Sequence, residues 1–185
     1  MRMFETPGRV NTEETCRIAV NRAMQIKSPI VASSTSGASG AMLCEIASGL
    51  GFDGKIVIVT HAYGSMEPGK NMLMDEHRET MQSHGAVLVT AAHALSGAER
   101  GLSTRFQGIY PVEIVAHTLR MISQGLKVSA EIGSMALDAG AIEYGKEAVC
   151  MGGAAGGLDT AVVMTPSHAN RIMETNVHEI LCMPY

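Results

Sequence analysis

The apolar and polar positions of this chain fall into two alternating rhythms. Cys16, Ala19, Val20, Ala23 and Ile26 fill one side of residues 12–27, while Glu13, Arg17, Asn21 and Gln25 recur every fourth place on the other. That spacing predicts an amphipathic helix packed on a core. Asn11, with Glu14 three residues on, predicts a capping box at its start. Pro29-Ile30-Val31-Ala32 then reads as a short strand. The stretch from Ala41 to about Leu50 reads as a helix apolar on most sides, hence well buried. Lys55-Ile56-Val57-Ile58-Val59-Thr60 is a near-continuous apolar run, as in a parallel strand covered on both faces.

Further along, a polar helix is predicted over about 72–84 and a strand over 86–91. A long glycine-bearing loop spans about 92–109, and a helix begins at Pro111 and runs to about 123. On that helix Glu113, His117 and Arg120 share one face, and Ile114, Val115, Leu119 and Ile122 another. A helix to about 139 follows, with Lys127, Glu131, Ser134 and Asp138 expected outward. Ala148-Val149-Cys150-Met151 and Ala161-Val162-Val163-Met164 read as strands on either side of a glycine-rich loop. Residues 177–183 read as a terminal strand at a sheet edge, stopped by Pro184. Strands alternating with helices predict an α/β sandwich with a mostly parallel sheet, in one domain over 1–185.

Composition narrows the function classes. A net charge of −4 speaks against a nucleic-acid footprint. No apolar run approaches the roughly 18 residues that cross a bilayer, and Met1 to Gly8 carries no hydrophobic signal core, so the expectation is a cytoplasmic protein with no membrane contact. Cys16, Cys44, Cys150 and Cys182 form no C-x-x-C pair and read as buried thiols.

The chemistry gathers in loops expected at the carboxyl ends of the parallel strands, where such sheets bind ligands. The first is Ser33-Ser34-Thr35-Ser36-Gly37-Ala38-Ser39-Gly40, between a strand and a helix. A helix start presents unpaired N–H groups and partial positive charge, and small residues let an anion approach them. Ser34, Thr35, Ser36, Gly37 and Ser39 are therefore candidates to hold a phosphate, although a Ser-capped helix needs the same residue types. The loop lacks the spacing and the lysine of a Walker A motif, so ATP hydrolysis is unsupported. Gly49-Leu50-Gly51-Phe52-Asp53-Gly54 matches G-x-G-x-x-G but ends a helix, so it reads as a C-cap and turn.

Thr60-His61-Ala62 and Ala92-His93-Ala94 each follow a predicted strand. His61 and His93 are candidates to touch a ligand or move protons near neutral pH. No third ligand stands at a spacing that suggests a metal, and no catalytic residue is assigned. Tyr63 and Phe106 are candidates to flank a planar ring, and Arg105, in the loop with Ser96, to reach an anion. Arg100 reads as solvated or paired with Glu99 or a neighbouring subunit. Asp159-Thr160 reads either as an acceptor for ligand hydroxyls or as a turn cap. His77, His84, His117 and His178 read as surface or structural positions, and the role of His168 is open.

The hydroxyl loop and the run after it resemble the C-terminal domain of pyruvate kinase. Ala94-Leu95-Ser96-Gly97, Arg100-Gly101, Arg105-Phe106, Pro111-Val112-Glu113-Ile114 and Leu119-Arg120-Met121 are similar, along most of the chain, to a family of stand-alone prokaryotic proteins built like that domain. The resemblance implies a three-layer α/β/α sandwich with a mixed sheet in order 3-2-1-4-5 and one late antiparallel strand. It implies no pyruvate kinase activity, since the catalytic barrel is missing. In the kinase the matching turn holds a phosphate of a sugar bisphosphate. That effector's later loop uses Trp and Arg, and here residues 152–160 contain neither. Members of the stand-alone family bind flavin mononucleotide. The implied ligand is thus a phosphorylated planar molecule, flavin mononucleotide first, with phosphate on the 34–40 loop and His61, Tyr63, His93 and Ser96 beside the ring or ribityl chain. A flavin would bring redox chemistry with it. The alternatives are a non-catalytic metabolite sensor, with homo-oligomer contacts open to regulation, and a phosphate-ester or sugar enzyme using a loop histidine.

Overall fold

The computed structural model describes residues 1–185. Its sheet has seven strands: β1 (Arg2–Phe4), β2 (Ile30–Ser33), β3 (Ile56–Thr60), β4 (Val87–Thr90), β5 (Ala148–Gly152), β6 (Thr160–Thr165) and β7 (Asn176–Pro184). The helices are α1 (Thr12–Ile26), α2 (Ala38–Gly49), α3 (Asp75–Ser83), α4 (Gly97–Phe106), α5 (Pro111–Arg120) and α6 (Gln124–Asp138). Strand order is β1-β7-β6-β5-β2-β3-β4, and β6 alone runs antiparallel to its neighbours. Taken from β4 to β6, this is the 3-2-1-4-5 order with one late antiparallel strand.

Register explains the continuous apolar runs. Ile30 sits opposite Ile56 and Val149, and Val31 opposite Val57 and Cys150. The first set packs with Val20, Leu43 and Met81 of α1, α2 and α3, and the second with Ile132, Met135 and Leu137 of α6. Both faces are dry, so neither alternate position can be polar. At the end of α2, Gly51 has φ 74° and the Phe52 N–H donates to Ala47 O (2.9 Å), the C-cap expected of that glycine pattern.

Several expectations change. Asn11 forms no capping box: its Nδ2 donates to Thr6 O (2.6 Å), because a 3₁₀ turn over Arg9–Asn11 already leads into α1. The predicted 92–109 loop contains α4, with Glu99 in its first turn accepting from the Val112 N–H (2.9 Å). The terminal strand is not at the edge, since β1 pairs in parallel with β7 and Phe4 sits opposite Pro184. On α5 only Ala116 is buried; Ile114 and Ile122 are exposed, because α4 covers that face incompletely. Lys127, Glu131 and Ser134 do not point to solvent. All three are buried, because α6 lies between the sheet and α5. Asp138 does reach the surface, where it holds His168 Nδ1 (2.6 Å) and the Ala169 N–H (3.2 Å).

All four cysteines are buried and free, as expected. Burial pushes the Cys16 and Cys150 thiols up to about 12 and those of Cys44 and Cys182 to about 11. The thiolate is the reactive form. Ellman's reagent should therefore label none of them in the folded protein and all four in urea; labelling of the native state in seconds would contradict this packing.

Candidate functional site

β2, β3, β4 and β5 run parallel, and their carboxyl ends share one side of the sheet. The chain leaves β2 toward β3 and returns to pair β5 on the other side, so the strand order reverses between β2 and β5. That crevice is where open α/β sheets place ligands. A cleft of about 640 Å³ lies there. Of the residues read from the sequence as contacts, Ser34, Thr35, Ser39, His61, His93 and Ser96 line it.

The hydroxyl turn divides into two kinds of group. Ser34 Oγ accepts from the Gly40 N–H (3.1 Å) and lies 2.9 Å from Ser39 Oγ, which also bonds Ser33 O (3.3 Å). Those two hydroxyls brace the turn. The backbone is different: the N–H groups of Thr35, Ser36, Gly37 and Ser39 find no protein acceptor. Only the Ala38 N–H has one nearby, Ser36 Oγ at 3.5 Å. Gly37 takes φ 99°, and a Cβ there would meet His77 Cβ at 2.5 Å, so packing as well as conformation requires glycine. Unpaired amides at a helix start carry partial positive charge.

His61 and His93 come from the ends of neighbouring strands β3 and β4, and their rings lie 4.5 Å apart, tilted by 56°. The weak sequence echo between them is thus a spatial pair. His61 Nδ1 bonds Ser65 Oγ (2.9 Å), while the His93 ring bonds no protein group. Burial holds His93 below its ordinary range; the Glu131 carboxylate opposes this, and His61, Lys127 and Arg100 reinforce it. The ring is neutral near pH 7 and free to accept a proton.

The facing wall is α6, and the sequence reading missed it. Lys127 Nζ donates to Glu131 Oε2 (2.5 Å), and Glu131 Oε1 accepts from the Leu95 N–H (2.9 Å). Both side chains are only 6% exposed, and both line the cleft. Glu131 therefore ties the loop carrying His93 and Ser96 to the helix carrying Lys127. Burial pulls the Lys127 ammonium below its usual range, against the pull of Glu131. Arg100, exposed and without an acid partner, also lines the cleft. A signal for Lys127 and Glu131 existed. Leu126, Val128, Ala130, Ile132, Met135, Ala136 and Leu137 are too many apolar positions for a helix with one dry face.

The remaining candidates lie elsewhere. Ser36 and Gly37 sit in the turn but do not line the cleft; Ser36 O accepts from the Met74 N–H (3.0 Å). Tyr63 is exposed, and its hydroxyl donates to Gly69 O (2.7 Å). Arg105 and Phe106 stand exposed on α4, away from the cleft. Asp159 caps a turn: its carboxylate accepts from the Gly8 N–H (2.7 Å), the Ala154 N–H (3.3 Å) and Thr160 Oγ1 (3.0 Å). The glycine-rich loop also lines the cleft, although a Cβ at Gly157 would strike the Arg9 backbone at 2.3 Å, so that glycine serves packing. His168 stacks on Tyr144 at 5.5 Å. No three His, Cys, Asp or Glu side chains are placed to hold a metal ion, and no helix is long and apolar enough to cross a membrane. A larger hollow of about 930 Å³ lies where β2, β3 and β5 begin; its rim, with Lys27, Lys55, Glu143 and Glu147, is exposed and of mixed sign.

The family model described as pyruvate kinase, alpha/beta domain, matches residues 13–164 of the chain. The span runs from the first turn of α1 into β6 and leaves out β1 and β7.

Proposed function

The chain belongs to the pyruvate kinase alpha/beta domain family, and on that premise we propose that it binds a phosphorylated planar ligand in the cleft, flavin mononucleotide foremost. The observation that supports this reading is the set of unpaired amides of Thr35, Ser36, Gly37 and Ser39 at the start of α2. A phosphate there would take several charge-assisted bonds with no side chain in the way. Thr35 adds a free hydroxyl, and Arg100 adds a cation. The ring would lie between His61 and His93 on one side and Val128, Ile132 and Met135 on the other. The volume lies within the roughly 300–1,000 Å³ that small-molecule sites occupy. When bound, the flavin would supply redox chemistry; this chain's residues bind and orient it and hold the neutral His93 beside it.

Titrating flavin fluorescence tests the reading. Flavin mononucleotide should bind at least about tenfold more tightly than riboflavin, a difference of about 1.4 kcal/mol, since only the former carries the phosphate. Equal binding of the two, or none, would end it. The unbonded, neutral ring of His93 supports a second reading, proton transfer to a phosphate ester or sugar. Turnover lost in His93→Ala, with a pH–rate limb that vanishes, separates it from simple binding.

A further inference from the structure

We infer that Lys127 is a carbonyl-reactive amine, and that the ligand class of the cleft includes phosphorylated aldehydes or ketones that form an imine with it. This rests on the reading of the cleft as a phosphate-ester site and adds what happens at the ligand's other end.

Of the chain's lysines, Lys27, Lys55, Lys70 and Lys146 are exposed, and Lys127 alone is buried. Lys127 nevertheless lines the cleft that Thr35 and Ser39, with their free amides, also border. Taking an ammonium and a carboxylate out of water is unfavourable enough that apolar side chains of the same volume often fill such a space equally well. This pair has a second electronic form. The short Nζ–Oε2 contact lets one proton pass from Lys127 to Glu131, giving a neutral amine beside a neutral acid. Burial pulls the Lys127 ammonium toward the free amine, and Arg120 and Arg100 add to that pull, while Glu131 opposes it until it takes the proton. An amine in that state is a nucleophile, and the acid beside it is a proton donor.

The step balances without an outside reagent. The Nζ lone pair adds to the carbonyl carbon as the carbonyl oxygen takes the proton from Glu131. The nitrogen then returns one of its own protons to Glu131. The hydroxyl departs as water with that proton, leaving a protonated imine against the Glu131 carboxylate. Amine and carbonyl give imine and water, with no change of oxidation state.

Pyridoxal 5′-phosphate, a planar phosphorylated aldehyde, is the probe. The whole protein is mixed with it, reduced with borohydride, digested and mapped by mass spectrometry. Pyridoxine 5′-phosphate, which lacks the aldehyde, is titrated separately and used as competitor. The expected result is a phosphopyridoxyl group on Lys127, removed by excess pyridoxine 5′-phosphate and absent from Lys127→Met. Because mapping of the wild-type protein names the lysine, the result does not depend on that variant folding. If pyridoxine 5′-phosphate binds but label reaches only the exposed lysines, the imine is overturned and the phosphate site stands. If pyridoxine 5′-phosphate does not bind at all, both fall together.

Discussion

Replacing Glu131 with alanine will destabilise the protein by about 3–5 kcal/mol in urea unfolding, the usual consequence of removing one partner from a buried ion pair. The change strands the Lys127 ammonium and, in addition, orphans the Leu95 N–H, now held at 2.9 Å by Glu131 Oε1. Glu131→Gln separates the two effects. The amide oxygen can still accept from Leu95, so the loop with His93 stays tied to α6, while the charge on Lys127 loses its partner. Its midpoint should fall between those of wild type and the alanine variant. Losing the carboxylate also removes the one influence that raises the proton affinity of His93, so that ring should titrate at still lower pH in the glutamine variant. A double variant, Lys127→Met with Glu131→Leu, should recover much of the lost stability, since apolar replacement of such pairs is often neutral or better. Recovered stability with no ligand binding would place the pair in function. An alanine variant as stable as wild type would contradict the burial described here.

The second large effect is on binding. Thr35→Asp puts a carboxylate among the unpaired amides at the start of α2. It should bond those amides itself and repel a phosphate, weakening flavin mononucleotide by at least about a hundredfold through the loss of two or more charge-assisted bonds of about 1.5–3 kcal/mol each. The same substitution should raise stability by about 0.5–1 kcal/mol, because an acid at a helix N-terminus complements the dipole. Opposite signs on binding and stability distinguish an anion site from a helix that simply prefers a cap. Unchanged affinity in this variant would move the phosphate elsewhere.

Much of the architecture was legible in the chain. Apolar runs such as Lys55 to Thr60 predicted strands covered on both faces, and the four-residue spacing in α1 predicted its buried side. The hydroxyl turn stood out because small residues between a strand and a helix leave amides unpaired. What failed to read has a physical reason in each case. α4 buries no residue, so it carries no core periodicity to betray it. β1 is three residues long and exists by pairing with β7, a contact between the chain's two ends that no local pattern encodes. Lys127 and Glu131 look, four apart on a helix, like a surface ion pair; what makes them internal includes the Leu95 loop, a long-range contact that no local pattern encodes. The two hydroxyls of Ser34 and Ser39 were legible as residues but not as partners, since their 2.9 Å bond depends on how the turn closes. In the outcome the backbone of the turn, more than its side chains, is what remains free to meet a ligand.

Amide-resolved NMR tests that most directly, by titrating the protein with flavin mononucleotide and following each backbone N–H. The resonances of Thr35, Ser36, Gly37 and Ser39 should move downfield further than any others, as amides do on gaining an anionic acceptor. If those four hold still while ligand binds and shifts gather elsewhere, the phosphate does not sit at the start of α2.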